Sequence, residues 1–153
     1  SSRHLQIISL VIAFGAICAA IVEQQVNMAV AEARGWAVVG AVAAFLGVGI
    51  GAFGAHALSN LPPERLANWE TGARYQMYHT FGLFAVAVAA GHWPASMVRH
   101  AGTAFVTGIV LFSGSLYAIA LTGIRTFGAI APIGGAAFLT GWALLGWTAW
   151  RNR

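Results

Sequence analysis

Five apolar runs, at about residues 5–27, 36–58, 74–93, 102–122 and 129–150, dominate the 153-residue chain and leave little of it for anything else. Each is about as long as the roughly 20 residues a helix needs to cross a hydrocarbon core about 30 Å thick. Charged residues make up 8% of the chain and hydrophobic ones 59%, whereas an average soluble domain is roughly one quarter charged. The chain therefore reads as an integral membrane protein. Hydrocarbon offers no partner for backbone N–H and C=O groups, so spanning segments of this composition are helices. The connections at 31–35, 59–73, 94–101 and 123–128 are short. Short connections make neighbouring helices antiparallel, which predicts an all-α, up-and-down bundle of five transmembrane helices.

The charge pattern excludes one class of partner. Eight arginines, no lysine, no aspartate and four glutamates give a net charge of +4. They are spread singly, so they read as membrane-interface anchors, and no nucleic-acid role is expected. Trp36, Trp93, Trp147 and Trp150 fall at one interface and Trp69, Tyr75, Tyr78 and Tyr117 at the other, as aromatic belts do. Arginine splits evenly between the faces: Arg34, Arg99, Arg151 and Arg153 on the Trp-rich side, Arg3, Arg65, Arg74 and Arg125 opposite. The positive-inside rule ties. A cytoplasmic C-terminus is expected because Arg74 and Arg125 are read as held inside the fold. Cys18, the one cysteine, reads as a small buried apolar residue. The first run has a long apolar core, Leu5 to Val22, and no small-residue cleavage site after it, so it is read as retained rather than as a signal peptide, although the chain opens on Ser1.

Two segments carry finer expectations. Pro62-Pro63-Glu64 is a helix-start signature, and Leu66, Trp69 and Ala73 recur at helical spacing opposite Arg65, Asn68 and Glu70. This predicts a short interfacial helix at about 62–72, with Thr71-Gly72 bending the chain into the next span. No Gly or Pro interrupts residues 16–34. The first helix is thus expected to run from Leu5 to Arg34, carrying Glu23, Gln24 and Asn27 as a polar stripe that seeks a partner.

Four blocks carry a resemblance: GAFGAH (51–56), ETGARYQMYH (70–79), LFSGSLYAIALTGIR (111–125) and GAIAPIGG (128–135). In this order and spacing, over about residues 36–150, the chain resembles the small inner-membrane proteins grouped as domain of unknown function 423. They are related more distantly to the transmembrane protein 256 family. The resemblance implies a four-span core over 36–153, preceded here by an additional N-terminal helix at 1–35, and it implies no reaction, ligand or catalytic residue.

Alternation of the spans brings one set of polar residues to a single leaflet: His56, Glu70, Arg74, Tyr78, His79, Tyr117, Thr122 and Arg125. Glu70 and Arg74 stand at i, i+4 spacing, which suits an ion pair. The bland reading is a hydrogen-bond network that fixes helix register; the sharper one is a ligand site. His56 and His79 are candidate axial haem ligands, the His, Glu and Arg set is a candidate proton relay or quinone or anion site, and Pro132 is a candidate helix kink that frees a carbonyl. No metal cluster, nucleophile with a paired base or phosphate loop is visible, so no enzyme is expected. No cofactor is expected either, with haem or quinone as the exceptions considered.

Small residues point to helix packing. Gly40, Ala44, Gly47 and Gly51 run down one face of the second span, Gly47 and Gly51 form a GxxxG, Gly54 thins the helix beside His56, and Ser9, Ala13, Ala16 and Ala20 repeat the trait in the first span. The function expected is a small structural or accessory subunit of a larger energy-converting (respiratory or photosynthetic) or transport complex, partnered by lipid and by other integral membrane subunits. The alternatives are a small-solute or proton transporter using His56, His79, Arg74 and Arg125, and a haem or quinone binder.

Overall fold

The structure, a computed structural model, describes residues 2–93 and 95–152. Ser1 and Arg153, which entered the reading of the termini and the arginine tie, lie outside the described residues. The described residues are 92% helical, with no strand among them. Helix α1 runs from Ser2–Ala57, α2 from Pro63–Ala90 and α3 from Ala95–Gly108. A π-turn, Ile109–Ser113, joins α3 to α4 (Gly114–Thr122), and a 3₁₀ turn, Arg125–Ala129, leads into α5 (Ala131–Arg151).

Among the described residues, three helical stretches, not the expected five, are long and apolar enough to cross a membrane: Ile12–Ala57, Ser96–Thr122 and Arg125–Arg151. The first two expected spans are one continuous 56-residue helix. The expected break at 31–35 fails for a physical reason. Ala31, Glu32, Ala33 and Arg34 are good helix formers, and one glycine costs about 1 kcal/mol where a proline would cost about 3. The third expected span lies in α2, whose Arg74–Thr80 stretch is too polar for a lipid-facing helix. Its polar side chains turn inward instead: Gln76, His79 and Thr80 are all buried.

The short interfacial helix at 62–72 is also corrected. Those residues are the first turns of α2, started by Pro63 with Glu64 in the first turn, and the helix runs unbroken through Gly72. The amphipathic spacing was real, but its apolar face meets protein, since Trp69 is buried at 6% exposure. Gly72 is there for room: a Cβ on it would come 2.7 Å from Cε1 of Tyr117.

The C-terminal half of α1 and α2 pack antiparallel on a seven-residue repeat. Buried Gly40, Gly47 and Gly54 face Phe84, Met77 and Trp69 in turn. Seven-residue spacing keeps one seam facing the partner, as in coiled coils, and glycine brings the backbones close enough for dispersion contacts. Gly51, at the GxxxG position, has no atom within 4 Å of a would-be Cβ, so the seam follows the heptad rather than the GxxxG. The apolar core sits beyond, where Leu83, Val86, Ala89 and Ala90 of α2, Val98, Ala101 and Phe105 of α3 and Phe138 of α5 meet. Phe105 is fully buried between Gly82 and Gly141.

Two helix ends are closed by specific contacts. Gly123, at φ 75°, is the left-handed cap of α4, and its N–H donates to Ile119 O at 2.8 Å. Arg65 donates from Nε to Ala120 O (2.7 Å) and from Nη2 to Leu121 O (2.6 Å). It thereby ties the start of α2 to the negative end of the α4 dipole. Pro132 occupies the first turn of α5. No interior N–H is lost there, so the expected kink is a helix start.

Candidate functional site

The polar residues that meet inside the bundle form a narrower set than the eight expected on one leaflet. At its centre is Gln76, 4% exposed. Its Nε2 donates to Ala43 O of α1 at 3.0 Å, and its Oε1 accepts from the Tyr117 hydroxyl of α4 at 3.0 Å. One amide side chain thus links three helices. One heptad away, Trp69 donates from its indole N–H to Ile50 O at 2.9 Å, and its ring lies 4.7 Å from that of Tyr117. Ser113, in the π-turn, is fully buried beside the Tyr117 phenol, and its Oγ meets no partner at hydrogen-bonding geometry.

His79 belongs to a separate aromatic cage. Its Nδ1 lies 2.7 Å from Tyr75 O. A carbonyl only accepts, so Nδ1 carries the proton and Nε2 is the acceptor. Its ring stacks on Phe138 at 3.4 Å between centroids and 7° between planes, with Phe105 and Trp142 at 5.8 and 6.2 Å. One imidazole face is therefore already covered by protein.

The other expected members are dispersed. His56 is exposed in the last turn of α1. The heptad register sets it opposite about residue 67, some 18 Å along the axis from His79 at 1.5 Å per residue, so the two are not brought together as a ligand pair. Tyr78, Thr122 and Arg125 are exposed. Thr122 caps locally, accepting from Ile124 N at 3.1 Å. Glu70 and Arg74 are exposed and line one cleft without pairing; the ion pair seen among the described residues is Arg99–Glu32 at 3.3 Å, between α3 and α1. Glu23, Gln24 and Asn27 are exposed on α1, and so is Cys18, against the expectation that it is buried.

Sequence reasoning passed over Gln76 and Phe138 and gave Arg65 only a place at the interface. Gln76 carried a signal: a lone amide in an apolar stretch of helix needs a partner that only protein can supply. Its contribution is measurable. Gln76→Leu and Tyr117→Phe are each expected to lower stability by about 1 kcal/mol, and the double variant by less than their sum, because the two share one bond. Reversible unfolding in mixed micelles checks this, with a coupling of about 0.6 kcal/mol or more as the expected result. A coupling near zero would show that the bond adds nothing.

The comparisons with known proteins agree with a membrane protein. The family described as "Protein of unknown function (DUF423)" matches residues 50–135. The UPF0382 membrane protein YwdK of Bacillus subtilis is 47% identical over 110 residues, 71% of this chain and 89% of that protein. The UPF0382 membrane protein SSP2132 of Staphylococcus saprophyticus is 49% identical over 109 residues, 71% of this chain and 90% of that one. The UPF0382 inner membrane protein YgdD of Escherichia coli K12 is 40% identical over 106 residues, 69% of this chain and 81% of that one. No solved structure matches. With a glycine seam, inward-turned polar residues on α2 and relatives named as bacterial membrane proteins, the chain is a multi-pass membrane protein and belongs to the DUF423 family.

Proposed function

We propose that the protein works as a non-catalytic accessory subunit of a larger complex in the bacterial inner membrane, energy-converting or transporting, and docks through the N-terminal half of α1. The observation that carries this reading is that every residue from 12 to 28 is exposed. Ile12, Phe14, Ile17, Ile21 and Val22 are all at least half exposed. Positions 12 and 14 lie about 200° apart around a helix, so this segment is apolar on all sides, and such a helix belongs inside protein or lipid. At 1.5 Å per residue α1 is roughly 84 Å long, twice a bilayer with its headgroups. The C-terminal half already packs on α2. The N-terminal half offers Ser9, Ala13, Ala16 and Ala20 as a close-approach line, with Glu23, Gln24 and Asn27 beyond it as hydrogen-bonding groups for a partner.

The transport and haem alternatives draw less support, because no hydrogen bond or ion pair links His56, His79, Arg74 and Arg125 among the described residues. Blue-native electrophoresis from mild detergent tests the subunit reading. The wild-type chain is expected in a discrete species with other integral membrane proteins at fixed stoichiometry. The Ala13→Leu/Ala16→Leu/Ala20→Leu variant, equally apolar but without the small-residue line, is expected to leave that species. A wild-type chain that migrates only as a monomer would overturn the proposal.

A further inference from the structure

A cleft beside the heptad seam carries two opposite charges in its lining. It encloses about 410 Å³ between the end of α1 and the first half of α2. Its lining includes the apolar Gly51, Gly54, Leu66 and Trp69, the hydroxyl of Ser59, and the charged Glu70 and Arg74. These two opposite charges stand one turn apart, yet no hydrogen bond or ion pair engages either of them among the described residues. Gly51 leaves the α1 wall open, with nothing within 4 Å of a would-be Cβ, while Gly47 and Gly54 on either side are closed by α2.

We propose that this cleft binds a zwitterionic phospholipid with a primary amine, the phosphodiester at Arg74, the ammonium at Glu70 and the glycerol and upper acyl chain in the slot at Gly51. Three considerations converge on a lipid. Side chains on a helix tilt towards its N-terminus, so Arg74 leans towards Glu70 and the end of the bundle where α1 stops and α2 starts, and its long stem lets the guanidinium extend along the cleft. A guanidinium recognises phosphate through paired N–H donors. A carboxylate only accepts, so it favours a headgroup with N–H donors over a quaternary amine or a neutral polyol. The apolar part of the lining, Gly51, Gly54, Leu66 and Trp69, then matches an acyl chain.

The test is native mass spectrometry of the full chain, delipidated in detergent and titrated separately with phosphatidylethanolamine, phosphatidylcholine, phosphatidylglycerol and soluble O-phosphoethanolamine. Phosphatidylethanolamine is expected to bind about tenfold more tightly than either other lipid, the share of one charge-assisted hydrogen bond. Glu70→Gln is expected to erase that preference while lipid still binds. Arg74→Gln is expected to weaken all three lipids, and Gly51→Leu, whose Cβ would meet no protein atom within 4 Å, to block the slot while the protein stays monodisperse. Equal binding of the three lipids to the wild-type chain, or unchanged preference in Glu70→Gln, would overturn the proposal. Competition by O-phosphoethanolamine at concentrations equal to the lipid would overturn it too, since the ligand would then be a soluble phosphorylated amine.

Discussion

Gly134→Ala is expected to lower stability by about 3 kcal/mol, a large effect for the addition of a single methyl group. The added Cβ would lie 2.8 Å from both Cα and Cβ of Phe112 and closer still to its backbone nitrogen. Backbone cannot swing aside as the end of a side chain can, so α5 must move away from the π-turn. That separation would also loosen Phe138, one turn along α5 from Gly134, whose ring lies 5.6 Å from that of Phe112 and covers His79. Helix propensity works in the opposite direction by about 1 kcal/mol, so the sign tests whether close approach outweighs it. Gly49→Ala and Gly146→Ala provide the contrast: neither Cβ would meet an atom within 4 Å, and each is expected to be neutral or stabilising by up to about 1 kcal/mol. Thermal unfolding followed by far-UV circular dichroism in detergent compares the three. A loss below about 1 kcal/mol in Gly134→Ala would show that the α5 contact is loose.

The class of fold was legible because solvent dictates it: an apolar chain with scattered arginines and tryptophans near its run ends has one option in a bilayer. The number of spans was not, because length and hydropathy mark where a helix can cross and do not mark where it breaks. Arg34 and Gly35 look like an interface followed by a turn, yet neither residue forbids α-helix, and α1 continues through them. Gly72 reads in sequence as a bend and proves to be clearance for Tyr117. Composition alone cannot separate a glycine that supplies flexibility from one that supplies room. The polar residues divided similarly. Their presence near one end of the bundle was readable, but their partners depend on which face of α2 each occupies. Gln76 and His79, three apart, share the buried side, whereas Arg74 and Tyr78 fall outside it. The seven-residue repeat of Gly40, Gly47 and Gly54 was present in the sequence and is the signal that fixes the α1–α2 register; the shorter GxxxG spacing drew attention from it.

Trp69→Ala is expected to cost about 4 kcal/mol, the range of a buried large aromatic cut back to a methyl. The ring fills the space above Gly54, stands 5.8 Å from Phe53 and 4.7 Å from Tyr117, and ties the helices through its bond to Ile50 O. Trp69→Phe separates these parts. It keeps most of the packing and removes the donor, and the Ile50 carbonyl retains its own helical bond, so about 1 kcal/mol should be lost. Gly54→Ala places a methyl against the indole and is expected to be strongly destabilising alone. In the Trp69→Ala background that methyl enters vacated space, so the double variant should be markedly more stable than the sum of the single losses predicts. Additive losses would mean that the indole and Gly54 do not confine one another, and the register assigned to the α1–α2 seam would be wrong by at least one residue. Because the same indole forms part of the cleft lining, Trp69→Phe should also weaken phospholipid binding while leaving the preference set by Glu70 intact, which separates the wall of the site from the groups that select its ligand.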